Sequence, residues 1–329
     1  MQKLWTIYHQ EIPTFIQEFS SIPLMQRLKN IGMNCGLEYT QFELFKNCQS
    51  YTRYDHSIGV ALIIWHFTHD QAQTIAGLLH DVATPVFAHT IDFLNGDYLN
   101  QESTENGTRE IIEKSAELKQ LLKKHQIAID RIVDYHQYPI ADNGSPQLSA
   151  DRLEYSLSNM LNYGYCTIKD INLFYNDLII SKNEYGVIEL MFQSEKIASL
   201  FTINVLKNSR VYISDADRFS MQALANLIQI ALDNNIISKK DLYLDEPYVI
   251  KQFLSNAYTS QLWQRFTQYS IIKKELIKPN DNWFKINAKK RYIDPFIINT
   301  GRMSSISKEL NEEIKRFKAR DFNYYLSAQ

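Results

Sequence analysis

Apolar residues recur at helical spacing along the first half of the chain. Within residues 71–82, Ala72, Ile75, Ala76 and Leu79 follow the i, i+3, i+4, i+7 pattern of a helix that buries one face. Similar patterns predict helices over residues 55–67, 111–125 and 127–136. We therefore expect several helices that share one core.

A loop is predicted at residues 138–150, which contain two prolines and an Asn-Gly pair. A further helix is predicted directly after it, over residues 150–164. Ser149 is suited to cap the N terminus of this helix, and Gly164 is suited to the left-handed conformation that often ends one. The loop and the cap together fix where this helix begins.

The C-terminal part of the chain has a weaker pattern. It predicts a short hairpin at 182–191, one or two long helices over 201–235, a strand within 285–297 that Pro295 ends, and a solvated helix over 307–320. No shift in composition divides the chain into independent domains. We expect a mostly α fold, with a helical core over residues 1–180 and a smaller α+β portion over residues 181–329, packed as one unit.

The composition supports a packed, helix-rich protein. The 329 residues include only 10 glycines and 8 prolines, while hydrophobic residues make up 45%. The formal net charge of -2 argues against nucleic acid or an anionic membrane as a partner. The short basic runs at 123–126 and 288–291 could touch a phosphate chain locally, although such runs are usually solvated faces. The N-terminal stretch lacks the features of a signal peptide, and no segment has eighteen apolar residues without a charge, so a cytoplasmic location is expected.

The cysteines give no sign of a disulfide framework or a zinc knuckle. Cys35, Cys48 and Cys166 are odd in number and widely spaced. We expect three buried thiols.

The histidines are crowded, because seven of the eight lie between His56 and His136. Within this window, His80 is followed at once by Asp81, and Asp151 opens the helix after the loop. Two imidazoles and two carboxylates suit a divalent cation such as Mn, Fe, Co, Ni, Mg or Zn. His56, His80, Asp81 and Asp151 are therefore the candidate metal ligands.

The sequence around these residues resembles the HD superfamily of metal-dependent phosphohydrolases. LLHDVATPVFAH is preceded by YTRYDHS and followed by ADRLEYS, over about residues 50–165. The order His, His-Asp, Asp matches the superfamily's ligand set, and the surroundings are most similar to the deoxynucleoside triphosphate triphosphohydrolase branch. The resemblance implies an HD-domain helical bundle with a divalent metal ion.

The resemblance also implies roles for residues around the metal. Arg53, three residues before the first ligand, would clamp phosphate oxygens, and His89 would donate or relay a proton. Tyr155 and Asn159 share a helical face with the last ligand and would contact the substrate. Glu105 would act as a base or orient a water, with a charge at a helix N terminus as the alternative.

Two alternatives concern the metal site. The Ala-Asp-Arg sequence at the last ligand recurs at residues 216–218, so Asp217 competes with Asp151, although Asp151 has the expected spacing. A second metal would need further histidines, and His125 and His136 lie in the right interval. His125 follows two lysines on a predicted solvated face, and His66 and His69 are expected at the exposed end of their helix, so one metal is favoured.

Two positions depart from the triphosphohydrolase branch. Thr84 and Thr104 stand where that branch has histidines. The sequence therefore predicts hydrolysis of a phosphate ester or anhydride, with a nucleotide favoured as the small-molecule substrate. The alternatives are a metal-binding HD protein with a regulatory or ligand-binding role, and a diiron oxygenase. The resemblance also allows a homo-oligomer.

Overall fold

The structure is a computed structural model that describes residues 2–99 and 107–329. Most of the described residues are helical, which confirms the predicted mostly α class. The helices are α1 (Gln2–Tyr8), α2 (Thr14–Ser20), α3 (Pro23–Gln26), α4 (Glu43–Lys46), α5 (Arg53–Thr68), α6 (Gln71–Leu79), α7 (Thr90–Leu94), α8 (Thr108–Lys114), α9 (Ala116–Lys124), α10 (Ala150–Asn162), α11 (Ile168–Asn176), α12 (Glu195–Val211), α13 (Asp215–Asp233), α14 (Glu246–Ser255), α15 (Ala257–Gln268), α16 (Met303–Ile306) and α17 (Lys308–Ala319).

Two small sheets lie in the C-terminal half. The strands are β1 (Leu178–Lys182), β2 (Ile188–Phe192), β3 (Ile272–Glu275), β4 (Phe296–Ile297), β5 (Gly301–Arg302) and β6 (Tyr325–Ala328). One sheet has the order β1-β2-β4-β5, in which β2 and β4 are parallel, and the other is the antiparallel pair β3-β6. None of the described helices is both long and apolar enough to cross a bilayer.

Helix α5 is the centre of the bundle, with α6 and α10 packed against it. A Thr52 capping box with Asp55 starts α5, and residues Ile58 to Ile64 are all buried. Gly77 lets α6 pack closely against α5, because a Cβ at this position would collide with the side chain of Ile64 in α5. The apolar interior of this packing holds the ends of α5, α6 and α10 in fixed positions.

The predicted boundaries of α10 are confirmed. The Ser149 hydroxyl accepts a hydrogen bond from the Arg152 backbone N–H at 3.3 Å. Gly164 has a φ of 71°, in the left-handed region where glycine is favoured. The hairpin and the solvated helix near the C terminus are also confirmed, as β1-β2 and α17.

Other boundaries differ from the predictions. The helix predicted over 111–125 is divided into α8 and α9, because Ser115 is extended and caps α9. The helix predicted over 127–136 is wrong: the segment contains only a short 3₁₀ turn at Ile129–Arg131 and the start of another, where the Asp134 side chain accepts from the His136 N–H. This local side-chain bond competes with a continuous helix.

Residues 201–235 belong to two helices, α12 and α13, which are separated by a short break. The strand that was predicted within 285–297 and ended by Pro295 is wrong, because β4 (Phe296–Ile297) begins only after Pro295. The remaining residues are irregular because their backbone partners are groups outside any sheet: the Ile286 carbonyl accepts from the Arg218 guanidinium, and the Asp294 N–H donates to the Pro146 carbonyl. Alternation alone therefore predicted a ladder that does not form.

The main hydrophobic core joins both halves of the chain. It contains buried residues from α1 to α12 and also Ile293, Ile297, Met303 and Leu310 from the C-terminal part. Of the three free thiols, Cys35 and Cys166 are buried, as predicted, and Cys48 is half-buried.

A buried ion pair ties the sheet to the loop before α10. The Glu189 carboxylate, which is fully buried, accepts two hydrogen bonds from Arg302, at 2.6 and 2.7 Å. It also accepts from the Leu148 backbone N–H at 2.9 Å and from Asn183 at 2.8 Å. This network fixes the chain three residues before Asp151.

Arg302→Met removes the partner of this buried carboxylate, and we expect it to lower the free energy of unfolding by about 3–5 kcal/mol. Arg316→Met, on the exposed face of α17, is the matched control and should change the value by less than about 0.5 kcal/mol. Urea unfolding followed by circular dichroism measures both. Equal effects of the two variants would contradict this role for the ion pair.

Candidate metal centre

Three elements bring the predicted metal ligands together. His56 lies in the first turn of α5, His80 and Asp81 directly follow α6, and Asp151 lies in the first turn of α10. Ligand atoms of His56, His80 and Asp151 all lie within 4.8 Å of one another. Asp81 borders this group, since its Oδ2 lies 4.0 Å from the His56 Nε2 and 3.5 Å from the His80 Nε2.

Asp151 is the central carboxylate of the cluster. Its Oδ1 lies 2.9 Å from the His56 Nε2 and 3.8 Å from the His80 Nε2. Asp217, the alternative considered from the sequence, is not a member of the cluster, although it lines the same cavity.

The second nitrogen of each imidazole has its own partner. The His80 Nδ1 lies 2.7 Å from the Gly77 carbonyl oxygen, which can only accept, so Nδ1 carries the proton and Nε2 keeps its lone pair in the neutral ring. The His56 Nδ1 lies 2.6 Å from the Glu154 carboxylate. Both Nε2 atoms therefore face the cluster.

Glu154 is a residue of the site that the sequence interpretation missed. Its carboxylate is buried and accepts hydrogen bonds from Tyr51 at 2.5 Å and Ser158 at 2.7 Å. A signal was present, because Glu154 lies three residues after Asp151 and shares a helical face with it. Such carboxylates orient metal-binding histidines and fix their tautomer.

The charges of the cluster are strongly coupled. Burial alone would lower the pKa of His56, but the carboxylates of Asp151 and Glu154 outweigh it and raise the pKa to about 10. Burial would raise the pKa of Asp81, but Arg53 and the two imidazoles hold it well below its usual value. A positive charge is thus favoured at this point, either as a proton or as a cation.

The donor set fits a divalent metal ion. Two imidazole nitrogens with fixed tautomers and the carboxylates of Asp151 and Asp81 form the nitrogen and oxygen set that Mn, Fe, Co, Ni and Zn accept, with room for further ligands. His56, His80, Asp81 and Asp151 would hold the ion.

Arg53 is buried and directed toward Asp81. Its Nη1 lies 3.1 Å from both Asp81 carboxylate oxygens, and its Nε is buried without a hydrogen-bond partner. The Thr84 hydroxyl donates to the Asp81 Oδ1 at 2.7 Å. Thr84, which stands where the triphosphohydrolase branch has a histidine, therefore positions a carboxylate of the site.

His89 lies on the cavity wall beside Asp92. Its Nδ1 is 2.9 Å from the Asp92 Oδ2, so the ring donates from Nδ1 and its Nε2 is an acceptor. Burial lowers the pKa of His89, and the positive charges of Arg291 and Arg53 lower it further. His89 is therefore neutral near pH 7.

The other histidines of the crowded window lie away from the cluster. The His125 Nε2 is 2.7 Å from the Glu18 carboxylate, and its ring packs near Phe19, so the prediction of a solvated face was wrong there. His136 contacts Asp134. His66 and His69 are exposed, as predicted.

A cavity of about 400 Å³ opens beside the metal ligands. Tyr155 and Asn159, both predicted to contact substrate, line it, and Asn159 donates to the Tyr212 hydroxyl at 2.9 Å. Glu105, the predicted base, and Thr104 lie outside the described residues. Cys35, Asp217 and the irregular residues 288–292 also line the cavity.

A family model described as the HD domain matches residues 53–161, which contain all four candidate ligands and Arg53. The match spans about a third of the chain. The uncharacterised protein YdhJ of Bacillus subtilis is 28% identical to this chain over 250 residues, which cover 74% of the chain and 72% of that protein. A Cordyceps militaris protein named a metal-dependent phosphohydrolase is 27% identical over 123 residues, or 36% of this chain and 34% of that protein.

The fold around the HD domain is shared with solved structures. A Bacteroides thetaiotaomicron phosphohydrolase superposes with a TM-score of 0.64 at 14% identity, over 97% of this chain and 96% of that one. A hypothetical protein from Aquifex aeolicus superposes with a TM-score of 0.65 at 15% identity, over 96% and 93% of the two chains. The likeness therefore extends through the C-terminal portion as well as the HD domain.

Glu154→Gln keeps the shape of the residue beside His56 but removes its charge. We expect the affinity for Mn²⁺ to fall about 10- to 100-fold, because the imidazole becomes a poorer and less well oriented ligand. Isothermal titration calorimetry measures the affinity. Glu117→Gln, in the first turn of α9, is the control and should leave it unchanged; equal affinity for Glu154→Gln would exclude the orienting role.

Proposed function

We propose that this protein is a metal-dependent phosphohydrolase that acts on a phosphate ester or anhydride, with nucleotides as the favoured substrates. The proposal rests chiefly on one observation. Two imidazoles with fixed tautomers meet the Asp151 carboxylate at one end of a cavity that also contains a buried guanidinium. The names of the Cordyceps and Bacteroides proteins support the same reaction class.

His56, His80, Asp81 and Asp151 would hold a divalent cation, which when bound would supply Lewis-acid chemistry for the phosphoryl group and for an attacking water. Side chains of the cavity would bind and orient the phosphoryl group. Arg53 is held beside Asp81 and lines the cavity. The charge of its guanidinium would stabilise negative charge that develops on a phosphoryl oxygen bound there.

His89 is suited to accept a proton before it donates one. Its Nδ1 donates to Asp92, so the neutral ring has an acceptor at Nε2. Two cations, Arg53 and Arg291, disfavour the charged ring until a negatively charged substrate enters the cavity. We therefore assign His89 as a relay that takes a proton from water or product, which is one of the two roles predicted from the sequence.

The rest of the cavity fits an organic group attached to the phosphate. Tyr155 and Tyr212 lie with ring centroids 6.0 Å apart, and Asn159 offers an amide beside them. A volume of about 400 Å³ lies within the range of small-molecule sites. These features, with the sequence resemblance to the triphosphohydrolase branch, support nucleotides as the first compounds to test.

One observation favours a second candidate function, a metal-binding HD protein that binds a ligand with little turnover. Thr84 donates to Asp81, where the related branch supplies a histidine, and Arg53 is already engaged with the same carboxylate. A site with fewer proton donors and a committed guanidinium suits binding more than rapid chemistry. The diiron alternative gains no support from His125 and His136, which contact other residues.

A panel of nucleotides and phosphate esters tested with Mn²⁺, Mg²⁺, Co²⁺ and Ni²⁺ should reveal release of phosphate or polyphosphate. Asp81→Ala should reduce the rate at least about 100-fold, because it removes a metal ligand and leaves Arg53 buried without its partner. Asp130→Ala, at an exposed surface ion pair, is the control. Metal binding without turnover on the whole panel would favour the ligand-binding function.

Chelation of the metal should lower the stability of the protein as well as its activity. Because a ligand that binds only the folded state stabilises it, removal of the metal should lower the melting temperature, and Mn²⁺ at 100 times its Kd should restore about 2.7 kcal/mol. Differential scanning calorimetry measures the change, with Asp151→Asn as a variant in which Mn²⁺ should have little effect. A melting temperature independent of metal would contradict this site.

A further inference from the structure

The C-terminal part of the chain contributes directly to the cavity. Residues 288–292, with the sequence Ala-Lys-Lys-Arg-Tyr, line it together with the metal ligands. They lie outside the HD domain at residues 53–161. We call residues 288–292 the basic segment.

The basic segment is anchored on both sides. Before it, the Ile286 carbonyl accepts from Arg218, a fully buried guanidinium that also bonds to Asp215 and Tyr324. After it, the Asp294 N–H donates to the Pro146 carbonyl at 3.0 Å. An irregular segment with fixed ends can hold side chains in defined positions.

Two basic residues of the segment differ in their surroundings. The Lys290 ammonium donates to the Lys318 carbonyl at the end of α17, 2.5 Å away. Arg291 is half-buried on the cavity wall. Within residues 2–99 and 107–329, its guanidinium forms no hydrogen bond and no ion pair within 4.0 Å.

The charge of Arg291 lowers the pKa of two residues that line the cavity. Among the cations near His89 and Asp217, Arg291 has the largest effect on the pKa of each. Burial raises the pKa of Asp217 to about 8, and Arg291 opposes this shift. His89 directly precedes α7 and Asp217 lies in the first turn of α13, and both line the cavity together with Arg291.

Because Arg291 is only half-buried and has no partner among the described residues, its guanidinium is available to an anion that enters the cavity. Arg53 and Arg291 are two of the basic residues that line this cavity, and both act on His89. Guanidinium groups recognise phosphate oxygens through paired hydrogen bonds. An anion with negative charge on more than one group would engage both.

We infer that Arg291 binds the substrate through a phosphate group other than the one attacked, so that the protein takes compounds with at least two linked phosphates. This inference extends the proposed function and rests on it, because only that proposal makes the bound anion a substrate. Arg291 is thus a specificity-determining residue supplied by the C-terminal portion. Lys290 has no such role, because its ammonium is engaged at α17.

Inorganic pyrophosphate and inorganic phosphate are the probes for this inference. Calorimetric titration of the full chain with Mn²⁺ should show that Arg291→Gln weakens pyrophosphate binding about 10- to 100-fold and phosphate binding much less. Arg291→Lys should restore part of the affinity, since it keeps the charge but not the paired hydrogen bonds. Arg316→Gln on α17 is the control and should bind both anions like the wild type.

The content of Mn²⁺ and the melting temperature should be the same in wild type and Arg291→Gln, because this guanidinium has no partner among the described residues. With a nucleoside diphosphate or triphosphate as substrate, the variant should raise KM more than it lowers kcat. Unchanged pyrophosphate affinity in the variant, or absent pyrophosphate binding in the wild type, would overturn the inference.

The two proposals fail in different ways. If no phosphate compound is hydrolysed but pyrophosphate binding depends on Arg291, the phosphohydrolase proposal fails and the anion site stands. If phosphate compounds are hydrolysed and Arg291→Gln binds pyrophosphate as tightly as the wild type, only the inference on Arg291 is wrong.

Discussion

Both nitrogens of one buried imidazole are held by carboxylates from a single helix. Asp151 and Glu154, one turn apart on α10, lie against opposite edges of His56 on α5. This arrangement requires the two helices to pack in one register, because a shift of one residue would move either carboxylate away from the ring. The apolar packing of α5 supplies that register, and the metal centre depends on it.

The candidate metal ligands could be grouped from sequence because their order and local context match one pattern over a short stretch, and α10 could be placed because Ser149 and Gly164 mark its ends. Glu154 and Arg291 were harder to recognise. Glu154 lies among ordinary helical residues, and its role depends on where α5 lies in space. Arg291 lies 140 residues after Asp151 in the chain, and its basic run is indistinguishable from a solvated face until the fold brings it to the cavity.

The strand wrongly predicted within 285–297 also reflects contacts that depend on the fold and not on the local sequence. An alternating sequence shows which side chains could lie on opposite faces of a strand. It does not show which groups will form hydrogen bonds with the backbone N–H and carbonyl groups. Here Arg218 and Pro146 supply partners that no local pattern encodes. The C-terminal portion is therefore a wall of the site, built by long-range contacts, and the buried pair of Glu189 and Arg302 links its sheet to the loop that leads into α10.

The anchoring of residues 288–292 has a consequence for the order in which the protein matures during synthesis. All four candidate metal ligands have been translated once Asp151 is made, but the wall that contains Arg291 emerges from the ribosome much later. Until then the apolar residues that pack against Ile293 and Ile297 lack their cover. Arg302, which fixes the loop before Asp151 through Glu189, is made after Arg291, so the candidate metal ligands and the cavity wall reach their final arrangement together, late in synthesis.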